Sequence, residues 1–349
     1  MKIVLAVGFL VFTSFSAYAK FVYDAGAIKI FDKENGWEFK AVIRKNSDNE
    51  LDLYDGSYSG SSPCSLNLTE ITDADGKTYK AVSFKAVPPQ AKPYLTEFIA
   101  PEVTVIKETA FSSCSVLTIV SVPKIKQISN QAFQYCTSLT TESVNGMMHR
   151  GVELLATSAT AKSVAFGGCT SIEGPLIWNM PQLQTNVVWE SMFLSCSNLR
   201  EVRILSEVTE IRGAAFKDIA PGAAVYMPMK APAVFGACAI SSASAPYPRV
   251  YLKGNHEDWL KAIGEKHHVL PRNMVNDSSW TPASGSQSFG MMRHRMSGDE
   301  TMCEVKKSSG QITEVTLLDK NILAFVAYNN DRFFWVLKMP EQGFRVIVR

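Results

Sequence analysis

The residues that most often carry catalysis occur in this sequence without the spacing that catalysis needs. Gly56-Ser57-Tyr58-Ser59-Gly60 has the outline of a nucleophile elbow, yet Tyr58 stands where the nucleophilic serine of a G-x-S-x-G turn belongs. Asp299-Glu300 pairs two carboxylates, but this pair is more typical of a solvated loop than of a general acid and base. The sequence predicts no catalytic residue, and we expect the protein not to be an enzyme.

Metal-binding patterns are equally weak. Asp73-Ala74-Asp75-Gly76 begins like a calcium loop, but the glycine comes two positions early and Phe84 occupies the place of the closing glutamate. A strand-linking turn is therefore favoured. His267-His268 and the segment 291–296, which reads Met-Met-Arg-His-Arg-Met, lack any Cys-x-x-Cys or His-x-x-x-His spacing. We predict neither a metal nor another cofactor.

Charge and composition exclude two broad classes. The formal charge of +2, from 35 basic and 33 acidic residues, supplies no basic field for a nucleic-acid backbone. With 46% hydrophobic and 19% charged residues, the chain has enough apolar material to build a folded core. We therefore expect a folded protein without a nucleic-acid partner.

The amino-terminal residues predict export. Lys2 precedes an apolar run from Ile3 to Phe12, and Ala17-Tyr18-Ala19 forms a small-residue cleavage site. The run is shorter than the ~20 apolar residues of a spanning helix, so a cleaved signal peptide over residues 1–19 is favoured over a retained anchor. No other segment is long and apolar enough to span a membrane. The mature chain, from Lys20, is expected at the cell surface, secreted or in the periplasm.

The cysteines mark an internal repeat. Five of the seven lie three residues after a phenylalanine, and Ile219 takes the same place after Phe216. The phenylalanines are 22, 33, 27, 23 and 19 residues apart, which is typical of stacked repeats apart from one long and one short interval. The predicted ladder consists of Phe111, Cys114, Phe133, Cys136, Phe166, Cys169, Phe193, Cys196, Phe216, Phe235 and Cys238.

Each repeat combines an apolar turn centred on A-F-x-x-C with a short strand of the form L-x-x-V-x-V. Stacking these units buries the Phe, Cys and Leu positions as ladders and joins the strands into a parallel sheet. The cysteines are expected to be buried, inert thiols. Disulfides between neighbouring repeats are the less favoured alternative, because the total is odd and Ile219 replaces one member.

The pattern L-x-x-V-x-V-P-x-x-x-x-I-x-x-x-A-F-x-x-C-x-x-L, over residues 95–139, resembles the leucine-rich repeat of the BspA-like surface proteins, common in Bacteroidetes. Residues 75–82 are similar to the segment that leads into the first repeat of that family. Residues 250–254, followed by Trp259, are similar to its closing strand, turn and helix. The resemblance covers roughly residues 75–270. It implies a mostly β protein with short helical turns, built as a right-handed leucine-rich-repeat solenoid with a parallel sheet.

Other segments flank the predicted solenoid, which spans residues 81–270. Residues 20–80 alternate polar and apolar positions and predict a small antiparallel cap, while the polar stretch 271–290 predicts a linker. Residues 291–349 predict a small C-terminal β module, similar in length and β content to sorting domains of the type IX secretion route. Its strand candidates are 312–317, 322–328, 333–337 and 344–348.

The outward face of the repeat strands is the candidate binding site. The residues expected on it change from small and hydroxylated to charged and aromatic along the chain. Arginine and tyrosine are enriched at binding hot spots, and tyrosines near arginine also stack on sugars. An ordinary half-exposed sheet face is the alternative. The candidate residues are Ser121, Ser143, Leu176, Arg200, Arg203, Tyr226 and Tyr251.

The expected function is binding rather than catalysis. The family resemblance implies adhesion to a host or neighbouring-cell protein. The alternative is a glycan-binding accessory protein of a polysaccharide-handling system. The expected partner is thus an extracellular protein or glycan.

Overall fold

The computed structural model describes residues 20–148, 153–155, 163–180, 186–242, 244–274, 289–329 and 331–340. The expected signal peptide, most of the insertion after Gly146 and the strand expected at 344–348 lie outside these residues. Within them the fold is mostly β, as predicted, with three short α-helices. The helices are α1 (Thr141–Met148), α2 (His256–Gly264) and α3 (Phe289–Met296).

The amino-terminal strands form a closed six-stranded ring, whereas an antiparallel cap was expected. The ring order is β1–β2–β3–β4–β7–β6, and β6 returns to β1. The contacts of β4 with β7 and of β1 with β6 are parallel, and the others are antiparallel. Closure leaves the ring without a free edge. The strands are β1 (Phe21–Asp24), β2 (Lys29–Asp32), β3 (Trp37–Ile43), β4 (Glu50–Tyr58), β5 (Cys64–Asn67), β6 (Ile71–Thr72) and β7 (Thr78–Phe84).

The repeats contribute two kinds of strand, each hydrogen-bonded in parallel to its equivalent in a neighbouring repeat. A longer strand follows the leucine position, and a shorter one covers the isoleucine before the A-F turn. The strands are β8 (Leu95–Ile99), β9 (Val105–Ile106), β10 (Ile119–Ser121), β11 (Gln127–Ser129), β12 (Glu153–Leu155), β13 (Leu176–Trp178), β14 (Val187–Val188), β15 (Glu201–Ile204), β16 (Glu210–Ile211), β17 (Phe216–Lys217), β18 (Ala224–Met227), β19 (Val234–Phe235), β20 (Ile240–Ser241) and β21 (Arg249–Leu252).

The phenylalanine ladder forms the centre of the repeats. Neighbouring rings stack with centroids 5.1 to 5.5 Å apart and interplanar angles of 1° to 7°. All five rings are fully buried. Burying such rings in contact with one another is the largest apolar contribution that each repeat makes. The ladder members are Phe111, Phe133, Phe166, Phe193 and Phe216.

The buried cysteines of these repeats are free thiols that link one repeat to the previous one. The Sγ of Cys136 donates to the carbonyl of Phe111 at 3.0 Å, and Cys169 and Cys196 repeat this contact at 3.1 and 3.2 Å. All seven cysteines are free. Burial raises the pKa of Cys114 and of Cys196 to about 12. The thiols therefore stay protonated at neutral pH and can act as donors.

The last repeat departs from the predicted ladder. Phe216 pairs with Ile240, and Phe235 pairs with Ile211, so Phe235 occupies the isoleucine position instead of the ring position. Cys238 has a φ of +53°, the left-handed position that Ala214 (φ +54°) holds one repeat earlier. The F-x-x-C spacing at 235–238 matches the motif, but the backbone hydrogen bonds place Ile240 in the ladder.

The carboxy-terminal strands continue the sheet of the repeats. The strands are β22 (His268–Pro271), β23 (Cys303–Ser308), β24 (Gln311–Leu317), β25 (Ile322–Tyr328) and β26 (Arg332–Lys338). They confirm the strands expected at 312–317, 322–328 and 333–337. β26 pairs in parallel with β21 and antiparallel with β25, which gives the order β13–β15–β18–β21–β26–β25–β22. The sheets are thus mixed, and the expected domain division at residues 80, 270 and 290 stays a prediction.

β25 and β26 are buried on both faces. Val326 and Phe334 join the core of the repeats, whereas Phe325, Phe333 and Trp335 pack in a second core with α3. A strand covered on both sides has no position for polar residues, which accounts for the continuous apolar runs in this part of the sequence.

Candidate functional site

Helix α1 divides the outward face of the long repeat strands into two parts, because it replaces the long strand of the third repeat. The Oγ of Ser143 accepts from the Val120 amide at 3.1 Å on one side. The Oδ1 of Asn145 accepts from the Ile177 amide at 2.9 Å on the other, and its Nδ2 donates to the Pro175 carbonyl at 2.8 Å. These side chains make the hydrogen bonds that a strand would have made with β10 and β13.

Two residues predicted on the outward face are buried. Ser143 lies in α1 and is 7% exposed, since its hydroxyl bonds to β10. Leu176 is 1% exposed, because its neighbour Ile177 pairs with Arg203 and takes the outward position. The repeat of Phe166 has one more residue between its phenylalanine and its strand than the repeats of Phe193 and Phe216. Its outward residue is therefore the eleventh after the phenylalanine, Ile177, and not the tenth.

The first part of the face, before α1, uses its hydroxyl groups internally. Ser121 is exposed on β10, beside Ile99 of β8. The nearby Thr118 and Thr140 donate their hydroxyls to the carbonyls of Thr96 and Thr118, at 3.0 and 3.2 Å. These contacts hold neighbouring repeats together and leave no convergent group of polar side chains around Ser121.

The second part of the face, after α1, brings predicted residues together. Arg203, Tyr226 and Tyr251 occupy one outward row on β15, β18 and β21. The two tyrosine rings stack with centroids 4.8 Å apart and an interplanar angle of 13°. The Nε of Arg203 lies 2.5 Å from Glu201 Oε1 on the same strand. With Arg249, these residues form the group that we call the tyrosine face: Glu201, Arg203, Tyr226, Arg249 and Tyr251. All five are half-buried.

Tyr226 lies among the charged residues of the tyrosine face, in the row between Arg203 and Tyr251. Burial raises the pKa of Tyr226, Tyr251 and Glu201 raise it further, and Arg203 and Arg249 oppose them. Because the pKa is raised, the phenol stays protonated at neutral pH. The face therefore carries a neutral phenol at its centre.

Arg249 is the member that the sequence prediction missed. It forms the second outward row with Glu201 and Ala224, two residues before Tyr251 on its strand. Its Nη2 lies 3.5 Å from Thr301 Oγ1, and its buried Nε has no hydrogen-bond acceptor. The strand alternation around Tyr251 was the available signal, since it puts position 249 on the same face. Arg200, which was predicted, is exposed immediately before β15.

The carboxy-terminal segment forms a wall beside the tyrosine face. The next residues in its two rows, Trp335 and Leu337 on β26, are covered by the second core. Asp299 holds this wall: its Oδ2 accepts from the Tyr247 amide at 3.0 Å and from Trp335 Nε1 at 2.8 Å. Asp299 is 1% exposed, so the solvated loop expected at Asp299-Glu300 is wrong for its first residue.

The other candidates for chemistry have structural partners. His267 is buried, its Nε2 accepts from the Cys238 amide at 3.2 Å and its Nδ1 donates to the Ile263 carbonyl at 3.0 Å. Burial lowers the pKa of His267 to about 4, so the ring is neutral. Asp73 accepts from the amides of Asp75 and Lys77 in the turn between β6 and β7. In the part of the chain that the structure describes, no three His, Cys, Asp or Glu side chains group as metal ligands.

A groove of about 560 Å³ lies between α2 and the loops that follow β18 and β21. Neither sign of charge dominates its lining, which mixes three lysines and three acidic residues: Lys230, Lys253, Lys261, Glu207, Asp258 and Glu265. Among the described helices, none is both long and apolar enough to cross a membrane.

Comparison with solved structures finds bacterial leucine-rich proteins. A leucine-rich cell surface protein of Faecalibacterium prausnitzii is 23% identical, covers 63% of this chain and has a TM-score of 0.48. This chain covers 54% of that protein, about half its length. A leucine-rich repeat protein of T. pallidum is 15% identical and has a TM-score of 0.37. The match covers 57% of this chain and 82% of that protein. One from Bacteroides ovatus is also 15% identical, with a TM-score of 0.29 and coverage of 62% and 70%.

The identification rests on the repeats themselves. No curated protein matches the chain. Residues 91–221 match the family described as the BspA type leucine rich repeat region, in six copies. This match covers the phenylalanine ladder from Phe111 to Phe216 and both parts of the outward face up to Arg203. Residues 91–221 of this chain therefore carry repeats that match the BspA type leucine rich repeat region.

Proposed function

We propose that this protein binds an extracellular protein through the tyrosine face. The observation that carries the proposal is the outward row of Arg203, Tyr226 and Tyr251, in which the two tyrosine rings stack, with Glu201 and Arg249 in the adjacent row. Arginine and tyrosine are the residue types that dominate binding hot spots. Adjacent hydrogen-bonded strands, about 4.8 Å apart, hold these side chains on a rigid framework, so little ordering is needed on binding.

The proposal includes the setting that the sequence predicts. The repeats form a right-handed solenoid, the chain is exported after cleavage behind Ala19, and the protein acts at the cell surface, in the medium or in the periplasm. Its role is adhesion or interaction, without catalysis and without nucleic acid. Arg200 lies at the margin of the site. Ser121 lies outside it, in the part of the face whose hydroxyls bond between repeats.

The geometry of the tyrosines favours a protein over a glycan. Sugars stack on an exposed aromatic face. Tyr226 and Tyr251 turn one face of each ring toward the other, which leaves fewer ring faces on which a sugar could stack. A glycan-binding role therefore has less support from this site than a protein-binding role.

A capture experiment with a designed set of variants tests this proposal. Purified protein from Lys20 onward is immobilised and exposed to candidate host extracellular proteins, and bound material is quantified by interferometry. The test variant combines Arg203→Ala, Tyr226→Ala and Tyr251→Ala. The control is Tyr54→Ala, which removes a tyrosine that is 37% exposed on the amino-terminal ring.

We expect the triple variant to lose at least about tenfold in affinity for a captured protein, while Tyr54→Ala changes it by less than about twofold. Equal thermal stability of the variants shows that the loss comes from the site. Full binding by the triple variant contradicts the proposal. Binding to defined sugars on a glycan array, lost in the same variant, supports the glycan alternative instead.

A further inference from the structure

The tyrosine face holds one cation that its own side chains do not balance. Arg203 is paired with Glu201 across 2.5 Å. Arg249 makes no ion pair with any residue that the structure describes, and its guanidinium contacts Thr301 Oγ1 at 3.5 Å. A guanidinium has five N–H donors, and the buried Nε–H of Arg249 has no acceptor. The site therefore has donors and positive charge in excess.

The excess charge borders a gap in the face. Ala224 lies between Glu201 and Arg249 in the second outward row, with a methyl group where both neighbouring strands carry long side chains. At about 4.8 Å between strands, Glu201 and Arg249 are about 10 Å apart at the backbone. Tyr226 follows two residues after Ala224, on the same face of the strand. We call the space over Ala224, between Glu201, Arg249 and Tyr226, the Ala224 notch.

We propose that the Ala224 notch receives an aspartate or glutamate side chain of the bound protein. The proposal rests on the protein-binding function assigned above and specifies its chemistry. The carboxylate is held by the guanidinium of Arg249, which suits planar, two-point binding. Glu201, on the other side of the notch, is already paired with Arg203, so the ligand's carboxylate binds on the side of Arg249.

The features of the notch select a carboxylate on a protein chain. An Arg fork matches the two oxygens of a carboxylate, and a side chain on an extended segment reaches a recess one strand wide. The wall held by Asp299 closes the neighbouring positions over Trp335 and Leu337, so the partner approaches from the side of β15. A basic or neutral segment would leave Arg249 unpaired beneath it, which costs affinity.

The first test uses fluorescein-labelled dodecapeptides of alternating glutamate and serine, read by fluorescence anisotropy at low salt. Matched peptides carry glutamine or lysine in place of glutamate. The full mature chain is compared with Arg249→Ala, Arg249→Lys and Ala224→Leu. Lys253→Ala is the control, because Lys253 is exposed just beyond the same strand and its removal changes the charge by the same amount.

We expect the glutamate peptide to bind the wild type and the glutamine and lysine peptides not to. Arg249→Ala and Ala224→Leu should each weaken binding by about tenfold, Arg249→Lys by less, and Lys253→Ala by under about twofold. Absence of binding to the wild type overturns the inference. Equal losses in Arg249→Ala and Lys253→Ala also overturn it, because they would show that the peptide is held by general charge attraction.

Protein binding by the tyrosine face and carboxylate binding in the Ala224 notch can be contradicted independently of each other. A protein captured in the first experiment is also measured against Arg249→Ala and Ala224→Leu. Its loss in the triple tyrosine-face variant together with full binding by Arg249→Ala and Ala224→Leu keeps the proposed function and overturns the notch. Full binding by every variant overturns both.

Discussion

The two parts of the outward face stand on the same kind of parallel strands and differ in what their polar side chains do. Before α1, Thr118 and Thr140 donate to carbonyls of the preceding repeat, so the hydroxyls contribute to cohesion between repeats. After α1, Glu201, Arg203 and Arg249 lie beside Tyr226 on the outward face. The comparison teaches that the repeat provides the framework, while a few outward positions decide whether a stretch of it is scaffold or site.

The largest effect should come from the ladder that both parts share. Phe166 stacks on Phe133 at 5.5 Å and on Phe193 at 5.4 Å, so it connects the repeats on the two sides of α1. Phe166→Ala should lower the free energy of unfolding by about 3–5 kcal/mol, because it leaves a cavity in the core. Denaturant unfolding measures this. Phe166→Leu is the matched control, with a smaller loss; an equal loss in both would mean that the stacked ring contributes little.

The next effect should separate the two parts, because Asp299 supports only the second. Asp299→Ala leaves the Nε1 of Trp335 and the amide of Tyr247 buried without an acceptor, and should cost about 3 kcal/mol. Glu300→Ala, at the exposed neighbour, should change stability by less than about 0.5 kcal/mol. Hydrogen exchange should rise in β25 and β26 and stay unchanged in β8 and β10. Uniform acceleration across the chain would show that the wall is not a local support.

We expect a comparable loss of stability when the pH is lowered. The pKa of His267 falls from 6.5 to about 4 on folding because burial favours the neutral ring. The free energy of unfolding therefore contains the full contribution of the neutral ring above pH 6.5. It falls by about 3 kcal/mol as the pH falls toward 4, because the unfolded chain then binds a proton that the folded protein excludes. His267→Gln, which keeps a donor and an acceptor, should flatten the dependence of stability on pH in this window. An unchanged pH profile in His267→Gln would assign the acid sensitivity to other groups.

The smallest effect is expected at α1, the helix that separates the two parts of the outward face. Ser143→Ala removes the hydroxyl that accepts from the Val120 amide, so α1 loses its contact with β10, and the cost should be about 1 kcal/mol. Capture of a partner by the tyrosine face should be unaffected, because Ser143 lies on the far side of α1. The readout is the thermal midpoint together with the affinity. A marked loss of affinity would show that the two parts are coupled through the helix.

Residue types and spacing carried most of the repeat prediction. The A-F-x-x-C turns, the parallel strands and the free, buried thiols follow from local patterns that recur along the chain, so each repeat supports the assignment of the next. Phe235 shows the limit of this reasoning. Its F-x-x-C spacing matches the motif, but its backbone pairs with Ile211, so Phe235 takes the isoleucine position of its repeat and not the ring position.

Other features depend on partners that are distant in the chain. The pattern of β7 does not show that it pairs with both β4 and β6, which closes the amino-terminal ring. Leu176 and Ser143 illustrate the same point in the repeats, since one added residue or one helix changes which side chain faces outward. Arg203, Tyr226 and Tyr251 could be predicted because their repeats contain no such change.

The sequence by itself determined the repeat and the outward row from Arg203 to Tyr251, because alternation along a strand and recurrence between repeats are local properties. Only the tertiary structure decided that β26 would extend the repeat sheet, that Asp299 would be buried beneath it and that Arg249 would border the Ala224 notch without an ion pair. These outcomes depend on which surfaces meet, since burial and charge balance are properties of neighbours in space rather than neighbours in the chain.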